Sequence, residues 1–403
     1  VKAIVWHDIG DIRLDDVDVP KIQEPTDAII RLTTSAICGT DLHLVRGTMA
    51  GMKSGTVVGH EGVGVIEEVG EAVRGFSPGE RVVVCSTIAC GTCSYCRAGY
   101  FAQCDNANPN GRQAGTSFFG GPEATGAVDG LQAEYARIPY AATTLVKVPD
   151  AVSDEQAVMA SDVLPTGWFG ARLAQVTQGD TVLVLGAGVV GQCAIASAKR
   201  QGAARVLVVD GLEDRLAIAR TQNAEPIDFN REDPVETVRE LTGGIGVDRV
   251  IDAVGVDAQR PTDGPGAEAL PASGEVFDAE REKAAPDANP DGDVWVPGNA
   301  PSLPLRWATR AVAKAGTIGI IGVYPPPFDA FPIGEMMGRN LTVQAGNCNH
   351  RRYIPRLLAM IAAGSLDPTA WITQQREPTA ALDAYKQFDT RQQGWLKTVL
   401  DVS

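Results

Sequence analysis

The chain lacks any apolar run near the roughly 20 residues that a membrane span requires. It is also short of positive charge, with 35 Lys and Arg against 50 Asp and Glu, a formal charge of −15. A surface of that sign repels phosphate backbones and anionic headgroups, so neither nucleic acid nor a membrane is an expected partner. Cysteine is too scarce for a disulfide scaffold: eight residues in 403. Four of them crowd into one short segment, which fits metal-binding thiols in a reducing, cytoplasmic setting. The opening residues VKAIVWHDIGDIRLDD carry acids and no apolar h-region, so no secretory signal is expected in the chain as given.

What is present is ordinary globular composition, 44% hydrophobic and 21% charged. The length predicts two domains, or one interrupted by another. The first 150 or so residues read as a β-rich module, with KAIVW, DAIIRLTTSAI, GVGVIEEVG and RVVVCSTIA as strands between Gly and Pro turns. From about residue 151 strands alternate with helix-length segments: TVLVLG, VVGQCAIASAKRQG, RVLVVD, EDRLAIARTQ. That rhythm predicts right-handed βαβ units and a parallel sheet, hence an α/β fold. Residues 256–302, rich in Pro, Gly, Ala and acids, read as a long inserted loop without secondary structure.

Three patterns carry chemistry. Cys90, Cys93, Cys96 and Cys104 could close into a tetrahedral S4 site, which suits a structural zinc; an iron–sulfur cluster is the rival. Gly186, Gly188, Val189, Val190 and Gly191 lie between a strand and a helix, with Asp210 ending the next strand. Glycines allow close backbone approach, the helix N-terminus faces a pyrophosphate, and the carboxylate would accept from ribose hydroxyls and repel a 2′-phosphate, favouring NAD. The third pattern is dispersed: Cys38 in CGTDLH and His60 in GHE follow separate strands, and together they make half of a catalytic zinc site.

Taken together and in this order, these segments resemble the zinc-dependent medium-chain alcohol dehydrogenases over nearly the whole chain. The resemblance implies a partly open GroES-like β-barrel catalytic domain at 1–162 and 350–403. A Rossmann NAD-binding domain with a doubly wound parallel sheet would occupy 163–349. It implies two zinc ions per chain and NAD, a small alcohol or aldehyde as substrate, and a homo-oligomer, tetramer or dimer. Cys38 and His60 would be the first two catalytic ligands. The third position falls on Asp162, where a helix cap is the competing reading. That Asp and the insertion resemble the glutathione-independent formaldehyde dehydrogenase and aldehyde dismutase branch.

Further roles follow from the same resemblance. Thr40 and His43 would relay a proton, His43 exchanging it with solvent, and Glu61 would stand behind the metal. Arg215 would contact the adenosine ribose and Lys397 the pyrophosphate. Phe118 and Phe119, with Trp168 opposite, read either as a wall of the substrate channel or as an ordinary packed loop. The insertion reads either as disorder or as a cover over the adenosine half of NAD. A polyol or 3-hydroxy acid dehydrogenase is the alternative within the family, and a non-catalytic zinc- and NAD-binding redox sensor the alternative outside it.

Overall fold

A computed structural model describes residues 1–270, 274–288 and 292–403. It divides into two compact units: Val1–Pro165, Ala288–Val296 and Asn347–Ser403 form the first, Thr166–Asp287 and Pro297–Gly346 the second.

The first unit is built on the strand Ala28–Ile37, which pairs with Gly62–Val69, Tyr135–Ile138 and Thr398–Asp401, all antiparallel. The sheet continues through Arg81–Val84 to Leu145–Lys147 and ends on the other side at Gln374–Arg376. Two register shifts, at Ile29/Ile30 and Leu32/Thr34, bend the central pair. Gly64 sits in this bend: a Cβ there would lie 2.3 Å from the Arg31 carbonyl oxygen. A three-stranded sheet, Asp11–Asp16, Lys2–Asp8 and Thr56–Val57, packs its apolar residues with Tyr385 and Phe388 of the helix Ala381–Asp389.

The second unit holds a parallel six-stranded sheet in the order Glu225–Asp228, Arg205–Asp210, Thr181–Leu185, Val247–Asp252, Val312–Ile320, Thr342–Ala345. Its strands are apolar on both faces, as helices on both sides require. Val182, Val184, Val206 and Val208 enter one core, while Leu183, Leu185, Leu207 and Val209 enter the other.

The inserted segment differs from the expected structureless loop. It contains the helices Gly264–Glu268 and Glu275–Ala284. Phe277 buries against Ala300 and Leu303 in a small core of the second unit. Neither helix shows a long apolar period, because the first is five residues long and the second is charged on most of its surface. Residues 292–296 belong to the first unit, where the Trp295 N–H donates to Asp389 Oδ2 at 2.6 Å. Asp389 in turn is paired to the buried Arg46 at 2.7 Å. The inserted loop expected at 271–273 and 289–291 lies outside the described residues. Among the described residues no helix is long and apolar enough to cross a membrane.

Candidate active site

The four cysteines of the first motif converge in one loop, with all four Sγ atoms within 4.8 Å of one another. That spacing leaves room for one ion and not for a multi-iron cluster, which decides between the two candidates. Cys93 and Cys104 Sγ are 4.0 Å apart, close to the tetrahedral edge of about 3.8 Å that Zn–S bonds of about 2.3 Å imply. Cys90 Sγ accepts from the Thr92 and Cys93 backbone N–H groups, the Thr92 hydroxyl and Asn106 Nδ2. Burial pushes the Cys90 thiol up, but these donors outweigh it and bring it down to about 6, so a thiolate is on hand at neutral pH.

The second cluster lies in the same unit. Cys38 ends the strand Ala28–Ile37 and is the N-cap of the helix Gly39–Val45, where its backbone N–H donates to Asp41 Oδ2 at 2.9 Å. His60 follows Gly59, whose left-handed φ of +91° and contact with Gln132 leave no space for a Cβ. Asp162 follows Ser161, which stitches its turn to the sheet through the Val84 carbonyl and the Gly62 N–H. Asp162 Oδ2 is 3.6 Å from Cys38 Sγ and 3.6 Å from His60 Nε2. Bonds of about 2.0–2.3 Å to zinc give tetrahedral edges of about 3.3–3.8 Å, so the three groups fit one zinc ion.

The electrostatics suit a dication. All three groups are buried. Burial opposes a charged imidazole, yet Asp41, Cys38 and Asp162 push His60 well above its ordinary value. Burial likewise opposes the Asp162 carboxylate, but His350 and His60 hold it well below the usual range. Burial raises the Cys38 thiol, with His60 opposing; a bound metal would deprotonate it outright.

Partners behind the three groups fix their orientation. His60 Nδ1 lies 3.2 Å from Asp41 Oδ1, within ion-pair reach. Gln132 Nε2 donates to Asp41 Oδ2 at 3.1 Å and its Oε1 accepts from the Tyr385 hydroxyl at 2.8 Å. Asp162 Oδ1 is 2.7 Å from His350 Nε2. Sequence reasoning missed Asp41, Gln132, Tyr385 and His350. Asp41 could have been found from its place three residues after Cys38; the other three meet the site only through long-range folding.

Several expected residues stand elsewhere than anticipated. Lys397 is fully buried, with its ammonium donating to Glu61 Oε2 and to the Ile37 carbonyl at 3.0 Å. It therefore answers the Glu61 carboxylate and presents nothing at a surface for a pyrophosphate. Glu61 Oε1 has no hydrogen-bond partner among the described residues and is wholly enclosed. His43 is buried at 6% exposure rather than lying at the surface, while Thr40 is half-buried one helical turn before it. Phe118 meets the His60 ring edge-on, centroids 6.1 Å apart, whereas Phe119 is core. Gly120 makes that approach possible, since a Cβ there would strike the Gly59 backbone at 2.8 Å. Trp168 is buried in the second unit.

In the second unit the glycine turn has the predicted form. Gly186 takes φ +86°, and a Cβ on Gly191 would lie 1.9 Å from the Gly186 carbonyl oxygen, so helix and strand touch through backbone. Gly188 caps the helix Val189–Arg200, with Arg215 Nη1 3.9 Å from where its Cβ would be. Val189 is buried and Val190 half-buried in the first turn. Asp210 is tied to the same turn: Oδ2 accepts from the Ala187 N–H at 2.7 Å, and Oδ1 from the Gly211 and Leu212 N–H groups.

An S4 zinc loop, a buried Cys–His–Asp metal cluster and a glycine turn on a parallel sheet together define a zinc- and dinucleotide-dependent oxidoreductase. Residues 24–150 match the alcohol dehydrogenase GroES-like domain family, and residues 189–262 the zinc-binding dehydrogenase family. An uncharacterised zinc-type alcohol dehydrogenase-like protein of Bacillus subtilis is 35% identical over 99% of this chain and 100% of its own length. A glutathione-independent formaldehyde dehydrogenase of Pseudomonas aeruginosa is 36% identical over 64% of this chain and 66% of its own. The solved alcohol dehydrogenase from Thermus sp. ATN1 is 31% identical, with a TM-score of 0.79 over 100% of this chain and 99% of that one. The chain belongs to the zinc-dependent alcohol dehydrogenase family.

Proposed function

We propose that the enzyme oxidises a small alcohol or aldehyde hydrate with NAD, the catalytic zinc being held by Cys38, His60 and Asp162. The convergence of these three buried groups carries the reading. Bound zinc would polarise the substrate oxygen, and NAD would accept the hydride. The chain's own groups do the rest. Asp41 lies within ion-pair reach of the His60 ring, Phe118 walls the site and limits its water, and Glu61 sits behind with its charge matched by Lys397. Thr40 Oγ1 takes the substrate's hydroxyl proton and hands it towards His43, three residues on along the same helix face. Because His43 is buried, the proton reaches solvent through a further step and not directly from an exposed ring.

NAD is preferred to NADP. Asp210 stands at the glycine turn where an adenosine ribose would lie, and Arg215 supports the cofactor from above Gly188. Likeness to the Pseudomonas aeruginosa formaldehyde dehydrogenase, together with Asp162, favours short aldehydes, their dismutation, and NAD retained through purification. The outer strand Thr342–Ala345, with exposed Phe331, Ile333 and Met337 nearby, supports association of identical chains into a dimer or tetramer. Thiols without disulfide pairing support a cytoplasmic location.

Metal analysis should find two zinc ions per chain, and Asp162→Ala should keep one and lose turnover on a panel of short alcohols and aldehydes. Full occupancy and turnover in that variant would make Asp162 a mere helix cap. Asp210→Ala should raise the KM for NAD by about one to two decades, the equivalent of a charge-assisted hydrogen bond of about 1.5–3 kcal/mol, and narrow the preference over NADP. Unchanged NAD and NADP kinetics would place the ribose elsewhere.

A further inference from the structure

His350 opens the helix His350–Ala362 and is only 3% exposed. Its Nε2 lies 2.7 Å from Asp162 Oδ1, and its Nδ1 lies 3.1 Å from Thr87 Oγ1. The Thr87 hydroxyl is in turn 3.4 Å from the Cys348 carbonyl oxygen. The preceding residue is anchored as well, since Asn349 Oδ1 accepts from the Ala102 N–H at 3.0 Å. The imidazole is thus gripped at both nitrogens by two separate segments of the first unit. These contacts set its ring orientation.

The consequence falls on Asp162. A carboxylate offers two equivalent oxygens, and a dication can draw in one or both. Taking both would use the coordination position that a catalytic zinc leaves open for substrate. Here Oδ1 is engaged by His350 in a short, charge-assisted contact, and Oδ2 alone faces Cys38 and His60. The usual arrangement has a ligating histidine oriented by a carboxylate; at Asp162 the two partners have exchanged places.

We propose that His350 is a positioning residue that keeps Asp162 a one-oxygen zinc ligand, with Thr87 fixing the imidazole from behind. The proposal rests on Cys38, His60 and Asp162 being the zinc ligands. Its test compares wild type, His350→Ala, His350→Gln and Thr87→Val by chelator competition for zinc. The visible spectrum of protein with cobalt in the catalytic site is the second measurement.

His350→Ala is expected to weaken the catalytic site by about 10–100-fold, the range for outer partners of metal ligands, while the four-cysteine site is untouched. Its cobalt spectrum should change as the freed oxygen turns inwards. His350→Gln retains an N–H for Oδ1 and should recover most of the affinity and the wild-type spectrum. Thr87→Val should fall between. Wild-type affinity and spectrum in His350→Ala would overturn the proposal, and so would a His350→Gln variant as weak as His350→Ala. Should His350→Ala fail to fold, His350→Gln decides alone: a wild-type spectrum supports the proposal and an altered one overturns it. One zinc per wild-type chain would instead strike down the ligand reading beneath it, and the proposal with it.

Discussion

Lys397 and Glu61 show how a single buried pair constrains what either residue can do. Both are 0% exposed, and the ammonium donates to Glu61 and the Ile37 carbonyl. Burial pushes the Glu61 carboxyl up, and Lys397 opposes that push. Removing one partner leaves the other charged and enclosed, which typically costs about 3–5 kcal/mol, whereas removing both with residues of similar volume is often neutral. Lys397→Met is therefore expected to lower stability in urea by that amount, and Lys397→Met with Glu61→Gln to regain most of it. A Lys397→Met protein as stable as wild type, with a raised KM for NAD, would return Lys397 to the cofactor.

At the scale of elements, two glycines of the dinucleotide turn do different work, and substitution separates them. Gly191→Ala drives a methyl to 1.9 Å from the Gly186 carbonyl oxygen, which is backbone and cannot step aside. A loss of roughly 1–3 kcal/mol in folding stability is expected, as for other overpacking. Gly188 has φ −62°, ordinary for any residue, and a methyl there would meet only Arg215 at 3.9 Å. Gly188→Ala should melt like wild type and yet bind NAD poorly, because the methyl stands where pyrophosphate approaches the helix. Equal melting points for the two variants, or undiminished NAD binding by Gly188→Ala, would contradict this division. Both positions were legible in the sequence, since the turn's chemistry lies within one strand and one helix. The helices of the insertion were not, because one is too short and the other too charged to show an apolar period. His350 was invisible for a different reason: its partners Thr87 and Asp162 are brought to it by the folded unit and by no local pattern.

At the scale of the molecule, the division into two units implies that the metals and the cofactor, bound at the proposed residues, would stabilise different parts of one chain. Cys38, His60, Asp162 and the four cysteines all lie in the first unit, and Gly186, Gly188, Gly191 and Asp210 in the second. Composition and alternation predicted a β-rich first stretch and a βα-repeating second one, because antiparallel strands with turn residues and βα repeats are different textures of sequence; the return of the chain's last segment to the first domain was implied by the family resemblance. The short piece at 292–296 escaped prediction, since joining the first unit depends on Trp295 finding Asp389 across a long stretch of chain. A ligand stabilises what it binds by RT ln(1 + [L]/Kd), about 2.7 kcal/mol at a hundredfold excess over Kd. Amide hydrogen exchange can read that effect segment by segment. NAD at this excess should slow exchange at 186–191 and 210–212, where the turn's free N–H groups and the amides bonded to Asp210 become ordered by the cofactor. Chelation should speed exchange at 90–104 and around 38 and 60 while sparing the strands Thr181–Leu185 and Arg205–Asp210. NAD that protects nothing at 186–191 would remove the cofactor from this turn, and chelation that loosens the parallel sheet as much as the cysteine loop would show that the units do not bear their ligands separately.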